Sequence, residues 1–407
     1  MMQMPSIIDT IIIGAGPSGL ACAIQCQKNN IPFLLVEQSE RVGGRVGSVE
    51  IDGYIFDLGF QVYNTAYEMT NMLLNLDEIK LNHFKPGAMI YDGETFKRIS
   101  DPLRDFRHIF STILSDIPTF HDKLKILKLK FILKGYKINH DTSSDISTYE
   151  YLLSQGFSNR IIEMFFKPFF AGIFLENKLK TSSKFFKYVF SKLNIGMASL
   201  PEKGMQAIPD DLSNKINAKN IIIGKKAVNI IDQQSISFDD GNIVNAKNVV
   251  LTGESSHLVT GRPNRYNSII TLYFSTNLTL LHGKYIHLYP YDELINNIAF
   301  PTSISASYSK DGNNLISVNV KENNIQKKEM IKHVQSRLVK YYGGEVQHYQ
   351  FLKSFEIKKG TFIQLPGHFD QLEKQKRSPY IIGETQIVGS IEGAVQSGLE
   401  MADSLIN

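Results

Sequence analysis

The stretch from residue 7 to residue 37 constrains this chain more than any other. Residues 7–13 read IIDTIII, a short β-branched run of the kind that forms a strand buried on both faces. It ends in Gly14-Ala15-Gly16-Pro17-Ser18-Gly19, a G-x-G-x-x-G loop. A helical pattern follows, with Leu20, Ala23 and Ile24 on one face, and frays near Asn29-Asn30. A second apolar strand over residues 32–36 then delivers Glu37, with Gln38 behind it. Gly14 permits a tight turn, Gly16 lets the backbone approach a pyrophosphate, and Gly19 lets helix and strand pack closely. The helix start offers free N–H groups and a partial positive charge to phosphates. Glu37 can accept hydrogen bonds from a ribose, and its charge disfavours a ribose 2′-phosphate. The loop alone would pass for an ordinary turn. Strand, loop, helix, strand and acid in this order predict a dinucleotide site.

Just beyond lies Arg41-Val42-Gly43-Gly44-Arg45-Val46-Gly47-Ser48, an R-x-G-G-R-x-x-S pattern. Two adjacent glycines let a second backbone stretch close on the diphosphate, and an arginine offers it a planar cationic fork. At the far end, residues 380–384 (YIIGE) read as a strand ending in glycine and an acid. Residues 390–398 (SIEGAVQSG) open a final helix with Ala394, Val395, Leu399, Ala402 and Leu405 on its apolar face. Together these segments resemble the flavoprotein family that includes phytoene desaturases, protoporphyrinogen oxidase and monoamine oxidases. The resemblance covers the two ends and a middle patch, and it implies FAD as the cofactor. It implies Gly43, Gly44 and Arg45 at the diphosphate. In residues 53–63 (GYIFDLGFQVY) it sets Gly59, Phe60 and Gln61 along the ribityl chain and flavin ring. Gly383 and Glu384 would meet the ribityl or phosphate region. The N–H groups from Ile391 to Ala394, after Ser390, would face the flavin N1–O2 edge, where a helix N-terminus stabilises negative charge. Val228, within residues 224–231 (GKKAVNII), would bracket the adenine. The family usually has aspartate where this chain has Glu384, which keeps the carboxylate but alters its reach.

At 407 residues the chain suits two domains. The expected fold is α/β. A Rossmann-like FAD-binding domain of the glutathione-reductase type takes residues 1–65, 201–265 and 355–407, and a discontinuous α+β substrate domain takes 66–200 and 266–354. Residues 66–200 read as helical, notably 67–76 and 148–157. Strand-like runs at 269–274 and 315–320 and a helix near 325–341 fill the second part, while residues 248–252 return to the first sheet. The flavin is then expected at the interface.

A net charge of +4 gives no reason to expect nucleic acid. Cys22 and Cys26 fall one turn apart and read as small core residues of a protein from a reducing compartment. The first apolar run leads straight into the glycine loop, so no signal peptide is expected, and no apolar stretch is long enough to span a bilayer. The expected location is cytoplasmic, with a peripheral membrane contact as a further option. Six lysines alternate with Leu, Ile and Phe over residues 122–137, a pattern suited to an anionic membrane face or to a solvated helix face. His282 and His287 lack acidic or cysteine partners and read as surface residues, so no metal site is expected.

The resemblance leaves three chemistries open: polyisoprenoid desaturation, porphyrinogen oxidation and amine oxidation. Amine oxidases usually carry a lysine on the strand corresponding to residues 268–274 (SIITLYF), and there is none here. They commonly have an aromatic residue where this chain has Ser390, and the chain has no tryptophan. With 25 phenylalanines and 18 tyrosines, it suits a large apolar substrate. The favoured reading is an FAD-dependent oxidoreductase passing hydride between flavin N5 and a polyisoprenoid- or porphyrinogen-like molecule. A flavin amine oxidase and a non-catalytic FAD-binding protein are the alternatives. No catalytic side chain is assigned.

Overall fold

The computed structural model describes residues 5–100, 117–321, 324–372 and 377–406. Its first seven-stranded sheet is centred on Ile7–Ile13, which pairs in parallel with Phe33–Val36 on one side and Ile243–Thr252 on the other. Ile221–Ile222 extends the sheet past Phe33–Val36, and Tyr380–Ile382 pairs in parallel with the end of Ile243–Thr252. Antiparallel strands Ser235–Phe238 and Ala227–Ile230 complete it. Parallel strands covered on both faces must be apolar throughout. Ile12, Leu35 and Val250 accordingly pack into one cluster with Leu20, Cys22, Ala23 and Ala402, from the first and last helices. Ile11, Ile13, Leu34 and Val249 pack into a separate cluster on the other side. The last helix, Ile391–Ser404, lies against the first, Pro17–Lys28. A β-carbon at Gly398 would collide with the Ser18 carbonyl, so glycine is what permits this crossing. Cys22 and Cys26 are free thiols buried in this layer.

The second seven-stranded sheet runs in the order Gln350–Phe362, Tyr266–Thr276, Asn314–Val320, Ile295–Ala299, Ile286–Leu288, Gly87–Tyr91, Phe96–Ser100. One face is covered by the helix Lys327–Tyr342, whose Met330, Val334 and Leu338 pack on Leu272, Phe274, Ile298, Ile316 and Val318. A helical layer rich in phenylalanine (Phe166, Phe170, Phe174, Phe185 and Phe186) joins Ala88, Ile90 and Leu288 in another cluster. Strand Gln350–Phe362 crosses residue 355, which the sequence suggested as a domain boundary.

The structure also departs from the sequence reading elsewhere. Residues 87–100, expected to be helical, form a hairpin. Asp92 Oδ1 accepts the N–H groups of Glu94 and Thr95, and Gly93 takes the left-handed φ of 109° that the turn needs. The expected helix over residues 67–76 splits into Glu68–Leu73 and Leu76–Ile79. The lysine-rich helix runs over Phe120–Ile132, started by a capping box between Thr119 and Asp122, and does not continue to 137. His287 is buried rather than on the surface. It is ringed by Phe96, Phe300 and Tyr342, and burial pushes its pKa down to about 4.

Candidate functional site

A cavity of about 1680 Å³ takes its walls from both sheets and from the helical layer. One end is the glycine loop. Gly14 has a φ of 103°, and a β-carbon there would strike Thr252 Oγ1. A β-carbon at Gly19 would collide with the Gly14 carbonyl, so Gly19 keeps the helix tight against the loop. Gly16 differs: nothing lies within 4 Å of where its β-carbon would be, so open space adjoins the backbone at the helix start. That is the room a pyrophosphate requires.

Glu37, 6% exposed at the end of its strand, is already held in place. Its Oε2 accepts the Ala15 N–H at 2.7 Å, and its Oε1 accepts the Ser39 N–H and hydroxyl at 2.9 Å each. Gly44, with a φ of 57°, brings the second loop beside Gly16. Arg41, also on the cavity wall, ties that loop, donating to the Gly44 carbonyl at 2.7 Å and to Gln206 at 2.9 Å. Arg45 faces the cavity. It pairs with Glu384 at 2.7 Å, lies 5.0 Å above the Tyr266 ring and donates to the Gly360 carbonyl. The two ends of the chain thus meet through an arginine–carboxylate pair.

Further along, Gln61 donates to the Arg45 and Leu58 carbonyls, and Gly59 faces Ile357 and Ile269. Ser390 caps the final helix by accepting the Gly393 N–H at 2.9 Å, and its hydroxyl lies 3.1 Å from that of Tyr188. Buried Glu392 accepts the N–H groups of Met69 and Thr70 and the Thr70 hydroxyl, anchoring Glu68–Leu73 to the final helix. Tyr67, also on the wall, stays protonated, because burial and the Glu392 charge both raise its pKa. Asp57 joins the halves of the molecule: its carboxylate accepts from Ser48, the Met205 N–H and Tyr308 at 2.6, 3.0 and 2.9 Å. Burial raises the Asp57 pKa to about 6.

Of the residues predicted at the cofactor, Gly14, Gly16, Pro17, Ser18, Glu37, Gln38, Gly44, Arg45, Gly59, Phe60, Gln61, Gly383, Glu384, Ser390, Ile391 and Ala394 line this cavity. Ala15, Gly19 and Gly43 do not line it: Ala15 donates to Glu37, Gly19 keeps the helix against the loop, and Gly43 turns the second loop with a φ of 113°. Val228 is 44% exposed and does not itself line the cavity, whereas Lys225, Lys226 and Ala227 just before it do.

The other end was not legible in the sequence. Phe165, Phe169 and Ile173 project at helical i,i+4 spacing from a π-helical segment, Ile162–Phe166, and the helix Lys167–Phe174 that continues it. Such π segments recur at functional sites. With Phe190, Leu193, Ile269, Ile286, Leu288 and Ile357 they wall an apolar chamber continuous with the cradle. The strand on which an amine oxidase would carry lysine contributes Ile269. Phe120, Lys123, Leu124, Leu127 and Lys130 of the lysine-rich helix line another part of the wall. No metal-binding cluster is found among the described residues, nor any helix long and apolar enough to cross a membrane.

Such a two-sheet molecule, with a dinucleotide cradle opening into an apolar chamber, has the architecture of a flavoprotein. The chain belongs to the flavin containing amine oxidoreductase family, which matches residues 17–406, and FAD is its cofactor. It is 25% identical over 182 residues to chloroplastic protoporphyrinogen oxidase of Nicotiana tabacum, covering 44% of this chain and 31% of that protein. It is 30% identical over 97 residues to a 1-hydroxycarotenoid 3,4-desaturase of a Flavobacterium species, covering 22% and 20%. The chain thus spans less than a third of the length of either curated relative in these matches. A triple mutant of putrescine oxidase redesigned in its cofactor binding superposes with a TM-score of 0.73 over 98% of this chain and 99% of its own, at 15% identity. An oxidoreductase from Methanosarcina mazei superposes with the same score over 97% and 100%, at 17% identity. At such identities the likeness concerns the fold.

Proposed function

We propose that this protein is an FAD-dependent oxidoreductase acting on a hydrophobic substrate of polyisoprenoid, carotenoid or porphyrinogen type. The observation that carries this reading is the continuity of the glycine cradle with a chamber walled by Phe165, Phe169, Phe190 and Leu193. When bound, FAD supplies a hydride acceptor or donor at its N5 position. The chain's own residues do the rest. Glu37 and the start of the first helix hold the adenosine and pyrophosphate, and Arg45 neutralises charge beside them. The final helix starts on the wall between cradle and chamber with Ser390 and Ile391, and Ser390 itself takes up the Gly393 and Ala394 N–H groups. The aromatic wall orients an apolar molecule and excludes water. No side chain is assigned as acid or base. We take the two sheets with their covering helices as the two domains.

The aliphatic Ile269 and the hydroxyl of Ser390 count against the amine oxidase alternative, although the fold is shared with putrescine oxidase. A chamber open to the cradle counts against a non-catalytic role. We also assign a membrane contact to the helix Phe120–Ile132. Phe120 and Phe131 are 71% and 78% exposed, and Leu124 is exposed with them on one stripe, beside exposed Lys128 and Lys134. An apolar stripe with basic neighbours suits an anionic bilayer surface.

Anaerobic titration of the FAD-loaded protein tests the catalytic reading. Loss of the flavin band at about 450 nm on adding a polyene or a porphyrinogen, but not putrescine, is the expected result. Bleaching by putrescine alone would overturn it.

A further inference from the structure

Three hydroxyl groups meet where the last helix begins. Tyr67 directly precedes Glu68–Leu73, and Ser390 directly precedes Ile391–Ser404. Glu392 clamps these two helix starts together, accepting the N–H groups of Met69 and Thr70 at 2.9 Å each. Tyr188, from the helix Ser183–Ile195, joins them, with its hydroxyl 3.1 Å from that of Ser390. Tyr67 lies near enough to Tyr188 to raise its pKa further, after burial. Tyr67 and Ser390 line the cavity, whereas Tyr188 is 8% exposed and does not.

The protons of this group can be placed by elimination. A hydroxyl has one proton to give and two lone pairs to accept with. Ser390 Oγ accepts the Gly393 N–H at 2.9 Å. Burial holds the pKa of Tyr188 well above the ordinary phenol value, so Tyr188 keeps its proton. Ser390 Oγ is the acceptor that its hydroxyl reaches among the described residues, and a buried O–H without an acceptor is costly. Tyr188 therefore donates to Ser390. Both lone pairs of Ser390 are then taken, and its own proton is left for the cavity that Ser390 lines. The Tyr67 hydroxyl makes no hydrogen bond among the described residues and, unlike the Tyr266 hydroxyl, is not shut off from accessible surface. It too keeps its proton, because burial and the Glu392 charge raise its pKa. Water can serve both donors in the free protein. An apolar ligand that displaces this water must supply an oxygen or strand two donors.

We propose that Tyr67 and Ser390 are specificity-determining residues whose hydroxyls donate to oxygen on the substrate. The ligand is then an oxygenated molecule of polyisoprenoid type, such as a ketone or aldehyde, rather than a plain hydrocarbon. Its oxygen lies at the end of the chamber next to the cradle. This deepens the apolar-substrate reading above and rests on it. Tyr188 is a positioning residue: by filling a lone pair of Ser390 it turns that hydroxyl toward the cavity.

The test is calorimetric binding of two probes to the FAD-loaded protein: β-farnesene, a hydrocarbon, and farnesylacetone, whose ketone can only accept. Tyr67→Phe removes a hydroxyl that makes no hydrogen bond within the described fold. It weakens farnesylacetone binding by about fivefold, the scale of one hydrogen bond, and leaves β-farnesene binding within about twofold of the native value. Ser390→Gly, which keeps a good helix-capping residue, lowers ketone affinity in the same way. Tyr188→Phe lowers it by a smaller factor. Infrared difference spectra of farnesylacetone, isotope-labelled at its carbonyl carbon, give a second readout. The bound carbonyl stretch lies below its value in hexane, and Tyr67→Phe moves it back toward that value. The flavin spectrum and melting temperature check that each variant is folded. If Ser390→Gly does not fold, Tyr67→Phe carries the test. A ketone affinity and carbonyl stretch that Tyr67→Phe leaves unaltered, or equal losses for both probes, overturn the donor role and leave the apolar-substrate reading standing. Failure of both probes to bind the native chain defeats that reading, and this inference with it.

Discussion

In the cradle, the surface open to a ligand is mostly backbone, contributed by short runs such as 14–19 and 43–45 and fixed by glycines. In the chamber, the surface is side chain, contributed by residues as far apart as Phe165, Phe190, Ile269, Leu288 and Ile357. On the reading proposed above, the first construction binds groups that every dinucleotide shares, so it needs close backbone approach and tolerates little change. The second would match one substrate, and it is assembled from tertiary contacts free to vary in size and polarity. On that reading cofactor binding and substrate choice are separable, and substitutions in one region should leave the other's readout intact.

The sharpest way to break that separation is Gly16→Val. The space beside Gly16 is open and its φ is −73°, so a β-branched residue fits the fold but fills the place where a pyrophosphate would lie. FAD affinity should fall at least about 100-fold by equilibrium dialysis, with the melting temperature of the FAD-free protein little changed. A large loss of apo stability would mean that the glycine serves folding instead.

Asp57 tests the seam between the regions. Its folded pKa of about 6 lies above the ordinary carboxylate value, so its stabilising effect is present at low pH and fades as pH rises through 6. Relative to Asp57→Asn, the native chain should lose about 2 kcal/mol between pH 4 and pH 7, from about 1.4 kcal/mol per pKa unit. Urea midpoints at the two pH values check this. A difference that grows in the opposite direction rejects the assignment.

Two smaller effects follow, one at the surface and one in the cradle. Replacing Phe120 and Phe131 together by serine should weaken binding to vesicles of mixed phosphatidylcholine and phosphatidylglycerol by about tenfold, with FAD affinity unchanged. Co-sedimentation measures it, and an unaltered bound fraction counts against the membrane contact. Glu37→Gln should raise the FAD dissociation constant by about fivefold without altering the affinity of farnesylacetone. Equal losses for both ligands would show the two regions to be coupled.

What the sequence revealed follows the same division. Gly14, Gly16, Glu37 and Arg45, each expected from a local motif, all line one cavity, and the Arg45–Glu384 pair shows both ends of the chain converging on it. Val228 lies one residue beyond the wall formed by Lys225, Lys226 and Ala227, because a short strand gives no register of its own. The hairpin at 87–100 was hidden by the helical patterning around it, although Asp92-Gly93 is a turn signal. The meeting of Tyr67, Tyr188 and Ser390 could not be read at all, since it depends on three helices far apart in sequence. His287 was read as solvent-facing because it lacks acidic or cysteine partners in sequence, whereas it stands between Ile286 and Leu288 on a strand and its neighbours in space are Phe96, Phe300 and Tyr342.

The central claim is that one continuous cavity holds both FAD and an apolar substrate. A crystal structure of the FAD-loaded protein soaked with farnesylacetone tests it most directly. The account predicts the flavin ring between Gly59–Gln61 and Ser390–Ala394, with probe density beside it among Phe165, Phe169 and Leu288. Density for the ring elsewhere, or a chamber walled off from it, would contradict the account.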